Sequence, residues 1–88
     1  MKTVYKYHLT HSANSIKGPI TKLLCVHEQR GDLCIWAEVD LDAPEVIYDI
    51  HLLGTGSPKY AALELMDYIG SIFYDDARFV FHVYAKRR

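Results

Sequence analysis

The sequence predicts a mainly β fold: a compact antiparallel barrel or sandwich of five or six strands with one short helix, residues 1–88 forming a single domain. Three observations carry that expectation. Residues 33–41 are apolar at every odd position (Leu33, Ile35, Ala37, Val39, Leu41) with Cys34, Trp36, Glu38 and Asp40 between them, the alternation of a strand with one buried face. In the next run Val46, Tyr48, Ile50 and Leu52 alternate with Ile47, Asp49, His51 and Leu53, so both faces hold apolar groups. The turn formers Leu41-Asp42-Ala43-Pro44 separate the two runs, which are therefore expected as a central strand pair.

The remaining elements follow in chain order. Residues 3–9 alternate Tyr5, Tyr7 and Leu9 against Val4, Lys6 and His8, a first strand whose basic face suits an edge. Residues 10–18, THSANSIKG, are rich in turn formers and read as a loop that Pro19 ends. Residues 20–27 form the second strand, and Gln29-Arg30-Gly31-Asp32 is a hairpin turn with glycine placed for a positive φ. After the two long strands, Gly54-Thr55-Gly56-Ser57-Pro58 stops the chain, and residues 59–66, KYAALELM, are the one passage with helix propensity. Residues 67–74 return to strand character, with Gly70 marking a bulge or a close approach, and Asp75-Asp76-Ala77 turns the chain into a last strand over 78–85.

Composition bounds the function. A formal charge of -1 supplies no global field for a nucleic-acid backbone, so a nucleic-acid partner is not expected. The charge is uneven, acidic from Glu28 to Asp49 and basic at Lys2, Lys6, Lys17, Lys22 and Lys86-Arg87-Arg88. No run is long and apolar enough to span a bilayer and no apolar leader is visible, so neither export nor a membrane is expected. Cys25 and Cys34 lie in apparent strands without a CxxC unit, which reads as two reduced thiols in a cytoplasmic protein, a cross-strand disulfide being the other reading.

No reactive constellation emerges. His8, His11, His27, His51 and His82 have no metal-binding spacing, so no metal and no cofactor are expected. Asp40, Asp42 and Glu45 cluster beside Pro44, where carboxylates cap turn amides more often than they run acid–base chemistry. Cys34 with His51 or His82 is the one conceivable nucleophile and base, with nothing to orient it, so no enzyme is expected. Simple alternation instead sets Trp36, His51, His82 and Tyr84 on outward positions of one shared sheet face. That face is either a second core, covered by residues 59–66 or another sheet, or an aromatic recognition surface for a protein or a stacked base. Gly54, Thr55 and Gly56 are the candidate anion nest beside it, with the C-terminal cations. If a layer of the protein covers Trp36, Trp36→Ala removes about 3–5 kcal/mol of stability; if not, about 1 kcal/mol or less. A strand with two apolar faces is hard to solvate in so short a chain, so a homo-oligomer is expected, a homodimer first.

Five spaced blocks carry a resemblance: MKTVYKY at the start, LCIWAEVDLDAP, GTG after residues 50–53, YIGSIFY, and FVFHVY near the end. Together they resemble a family of small proteins of tailed bacteriophages and prophages with the pattern M-K-x-I-Y-K-Y, L-W-A-x-V-D-x-x-A-P, G-T-G-x-P, Y-I-G-T and V-F-H-V-F. Ser71 stands where that pattern has threonine, and the segment ahead of Tyr68 is longer. The resemblance implies a phage accessory protein in the cytoplasm of the infected host and implies no particular activity. Three classes follow: a non-catalytic binder that inhibits or modulates a bacterial host or anti-phage defence protein, a small-ligand binder such as a sponge for a nucleotide signal, and a virion structural or assembly part. A deep pocket between chains favours the second, a flat apolar patch the first, and ring or lattice packing the third.

Overall fold

The computed structural model describes residues Met1–Arg88 as seven strands in two antiparallel sheets. The strands are β1 (Lys2–His8), β2 (Ala13–Gly18), β3 (Ile20–Gln29), β4 (Asp32–Asp40), β5 (Val46–Gly54), β6 (Asp67–Tyr74) and β7 (Phe79–Arg87). One sheet has three strands in the order β1-β4-β3, and the other four in the order β2-β5-β7-β6. Of the two expected architectures the structure takes the sandwich: no closed barrel forms, and seven strands replace five or six.

The core lies between the sheets and follows the alternation. Ile35, Ala37 and Val39 of β4 point inward, and Ile50 and Leu52 of β5, Ile72 of β6 and Val83 and Ala85 of β7 meet them, closed off by Leu9, Ile16 and Ile20. Leu41, the fifth apolar residue of the first run, falls beyond β4 and is exposed. The β3–β4 hairpin forms at the expected turn, with Arg30 at φ 52° and Gly31 at φ 86°, the two left-handed residues that a tight hairpin requires. Gly70 meets both readings. The ladder slips between Tyr68 and Gly70, and a Cβ on Gly70 would stand 3.1 Å from Val26 Cγ2, where β6 runs against β3.

Three expectations are corrected. Residues 33–41 and 46–53 are strands but not a pair, because β1 and β3 already occupy both edges of β4; β5 crosses to the other sheet and pairs with β2 and β7. The passage 10–18 is not all loop. Asn14 closes a turn, its Oδ1 accepting from Thr10 N (3.0 Å) and His11 N (3.1 Å), and β2 follows as an edge strand that buries Ile16. The helix over 59–66 shrinks to one 3₁₀ turn, Ala61–Leu65, flanked by extended Tyr60 and Met66 and lacking a side-chain cap. So short a segment cannot repay the cost of nucleating an α-helix, and packing of Leu63 holds it instead.

Candidate functional site

The strands separate the residues that alternation had grouped. Trp36 lies on the outer face of the three-stranded sheet, in register with Lys6 of β1 and Cys25 of β3. His51, His82 and Tyr84 lie on the outer face of the four-stranded sheet, with the whole core between them and Trp36. The same separation removes the conceivable pairing of Cys34 with either histidine. Cys34 is fully buried, flanked by His8 and His27, and burial pushes its thiol pKa up, which holds it in the unreactive protonated form.

On the four-stranded sheet, β5, β7 and β6 place His51, Tyr84 and Tyr68 in one row. The chain from Ser57 to Met66 folds back over its β5 end: Tyr60 OH bonds to His51 Nδ1, and Lys59 Nζ stands 5.4 Å from the centre of the Tyr84 ring. Tyr84 meets Tyr68 edge to face at 5.7 Å. Leu63 is buried beneath the 3₁₀ turn, outside the main core, so this part of the face is a small second core. An open cavity of about 210 Å³ remains between Asp49, His51 and Lys86 on one side and Ala62, Leu65 and Met66 on the other.

The next row is polar and directional. His82 Nε2 lies 2.8 Å from Thr55 Oγ1, and His82 Nδ1 lies 2.8 Å from Ser71 Oγ, which is 2.6 Å from Tyr68 OH. Thr55 donates its hydroxyl proton to Val80 O at 3.4 Å, so Nε2 must donate to Thr55. Nδ1 then accepts from Ser71, and Ser71 accepts from Tyr68. One consistent set of donors therefore runs from β6 across β7 to the turn after β5, fixing the tautomer of His82 and the rotamers of three hydroxyls.

Two amides of the glycine turn are engaged within the protein. Thr55 N donates to Val80 O (3.1 Å) and Ser57 N to Gly54 O (3.1 Å), so both amides are spent inside the protein. Gly56, at φ 88°, occupies the left-handed position of that turn. Arg88, among the C-terminal cations, folds onto β5, its Nη2 donating to Asp49 Oδ1 at 2.7 Å, which holds the Asp49 carboxyl below the usual carboxylate range. The Asp40–Asp42–Glu45 cluster is a set of anchors. Asp40 Oδ1 accepts from Asp42 N at 3.0 Å, the Met1 amino group donates to Asp42 Oδ2 at 3.0 Å, and Glu45 lies 3.7 Å from Lys17 Nζ. The turn amide, more than the nearby N-terminal charge, holds Asp40 below its ordinary pKa.

Beyond the cover, the surface is aromatic and bare. Tyr68 (57% exposed) and Phe73 (65%) point outward from β6, and Leu65 (72%) projects from the 3₁₀ turn. Sequence reading passed over these residues because the slip at Gly70 moves the outward set from Tyr68 to Ser71 and Phe73, which breaks strict alternation. The excess tyrosine was the available signal.

No helix is long and apolar enough to cross a membrane. Comparison with curated proteins finds no match, and comparison with solved structures finds none either. A family match spans residues 1–88, the whole of this two-sheet sandwich, and the chain accordingly belongs to the family described as Domain of unknown function (DUF7352).

Proposed function

We propose that this chain is a non-catalytic phage accessory protein that binds and modulates a protein of the bacterial host or of its anti-phage defence in the host cytoplasm. The outer face of the four-stranded sheet is its recognition surface. The observation that carries this reading is the patch of Tyr68, Phe73 and Leu65, large apolar side chains left in solvent beside a polar row whose donors are already fixed. Exposed aromatics on a rigid backing suit a protein partner, since little rotamer freedom remains to be lost on binding. The cavity between His51 and Leu65 is open and about 210 Å³, smaller than drug-sized ligand pockets of roughly 300–1,000 Å³, which favours a flat contact there; the open recess of about 430 Å³ lined by Gly54, Thr55, Ser57 and Arg78 is the place where the alternative nucleotide ligand would sit.

Native mass spectrometry of the protein purified from infected cells tests this. The wild type should carry a second polypeptide in fixed ratio, and Leu65→Ser with Phe73→Ser, both exposed and outside the hydrogen-bonded row, should lose it by about thirtyfold or more in affinity while keeping the urea midpoint. A copurifying nucleotide with no polypeptide would replace this reading with the ligand-binding one.

A further inference from the structure

We infer that the open edge of β1 is a docking site for an extended segment of a partner protein in which acidic and apolar residues alternate, added to the three-stranded sheet as a fourth strand. The site lies on the rim of that sheet, apart from the outer face of the four-stranded one, so it stands or falls independently of the proposed recognition surface.

β1 pairs with β4 alone, residue for residue from Lys2 to His8 with no slip. At its two ends Leu41 N donates to Met1 O (2.9 Å) and Leu9 N to Leu33 O (2.8 Å). Those bonds lie just outside the Lys2–Asp40 and His8–Cys34 pairs and mark the even residues of β1 as the wide pairs of the ladder. The N–H and C=O of Lys2, Val4 and Lys6 therefore point away from β4, and none of them enters a backbone bond elsewhere. The edge ends at His8, where the chain leaves for β2. The remaining edges are less open. β3 and β6 run against each other, and the ladders of both slip. β2 is unbroken, but its lysine, Lys17, is matched by Glu45 at 3.7 Å.

Charge selects the occupant. β1 turns Lys2, Val4 and Lys6 to the outside of the sheet and Tyr5, 40% exposed, to the inside. Neither lysine forms an ion pair. Lys6 instead reaches across β4 to donate to Gln29 Oε1 at 2.7 Å, a neutral acceptor that a carboxylate outcompetes. The strand that β1 already holds shows the pattern it accepts. Ala37 and Val39 of β4 face the core, while Glu38 and Asp40 face out opposite Val4 and Lys2. The same alternation on the open side sets carboxylates about 4.8 Å from Lys2 and Lys6, and about twice that from Glu38 and Asp40, with apolar side chains against Tyr5. Main-chain bonds then supply affinity, and the alternating side chains supply specificity. The lysines also select against a second β1. Antiparallel pairing centred on Val4 opposes Lys2 to Lys6, and pairing centred on Tyr5 sets the two Lys6 residues on a diagonal.

Fluorescence anisotropy tests the edge with a labelled synthetic peptide of about eight residues, the length of a strand, that alternates glutamate and valine. A peptide alternating lysine and valine is the control. The wild type should bind the acidic peptide with a Kd below about 1 mM and the basic one at least about tenfold more weakly. Lys2→Glu combined with Lys6→Glu should invert that preference. Val4→Pro removes an edge N–H but no bond to β4, so it should weaken the acidic peptide by about tenfold or more while keeping the urea midpoint of the wild type. If Val4→Pro unfolds the chain, the inversion by the two lysines decides alone. A wild type that binds neither peptide, or both alike, overturns the inference. So does a folded Val4→Pro that binds as the wild type does, or a double lysine variant that still prefers the acidic peptide.

Discussion

The two outer faces of this sandwich are built from the same kind of strand and end in different states. On the four-stranded sheet the chain folds back over itself, burying Leu63, tying Tyr60 to His51 and setting Lys59 over Tyr84. On the three-stranded sheet nothing returns, and Trp36 keeps only its in-sheet neighbours Lys6 and Cys25. The difference lies in the connections. The segment between β5 and β6 is long enough to cross a sheet face, whereas the hairpin joining β3 to β4 closes in a tight turn and leaves no chain to spare. An amphipathic sheet face therefore becomes core or surface according to the length of the loop that passes it.

Truncating the cover should do the most damage. Leu63→Ala should remove about 2–5 kcal/mol in urea unfolding, since a fully buried leucine leaves a cavity that short strands cannot close. His82→Phe keeps the ring volume but strips Ser71 and Thr55 of their shared partner, and should cost about 1–2 kcal/mol by the same measurement. Trp36→Ala, on the bare face, should cost about 1 kcal/mol or less measured on the monomer at low concentration. Should Trp36→Ala prove as costly as Leu63→Ala, the contrast between the faces would collapse.

The smallest effect is one of pH. Arg88 depresses the Asp49 carboxyl, so its contribution is fully present above the unfolded-state value of about 3.9 and is lost as pH falls through the lower folded value. The thermal midpoint of the wild type should therefore fall further than that of Asp49→Asn between about pH 4 and pH 2, and the two curves should run parallel above about pH 5. Matching curves in acid would mean that the Arg88 contact is too well solvated to matter.

Much of this could be read from residue order, because alternation is local. Ile35, Ala37, Val39, Ile50 and Leu52 were legible as core, and Gly31 and Gly70 were legible as a turn and a close approach. Which sheet each strand joins was not legible. Alternation fixes the face a residue takes within its strand but says nothing of which faces are continuous, and so Trp36 was grouped with His51, His82 and Tyr84, from which the core divides it. β2 escaped because an edge strand with one buried residue, Ile16, carries too little apolar signal. The Thr55–His82–Ser71–Tyr68 row was hidden for a similar reason, since three separate segments supply it.

The interleaved pairing of β1 with β4 and of β2 with β5 has a kinetic consequence. Only the β3–β4 and β6–β7 hairpins join neighbours in the chain, whereas Ser15 meets Asp49 from 34 residues away. Closing such loops costs entropy before any contact returns it, so the two hairpins should form first and the transition state should wait on β1 and β2 docking at their distant edges. High contact order of this kind places folding in the millisecond-to-second range. A newly made chain would then hold the edges of β4 and β5 open for that interval, when pairing with the wrong strand competes with folding.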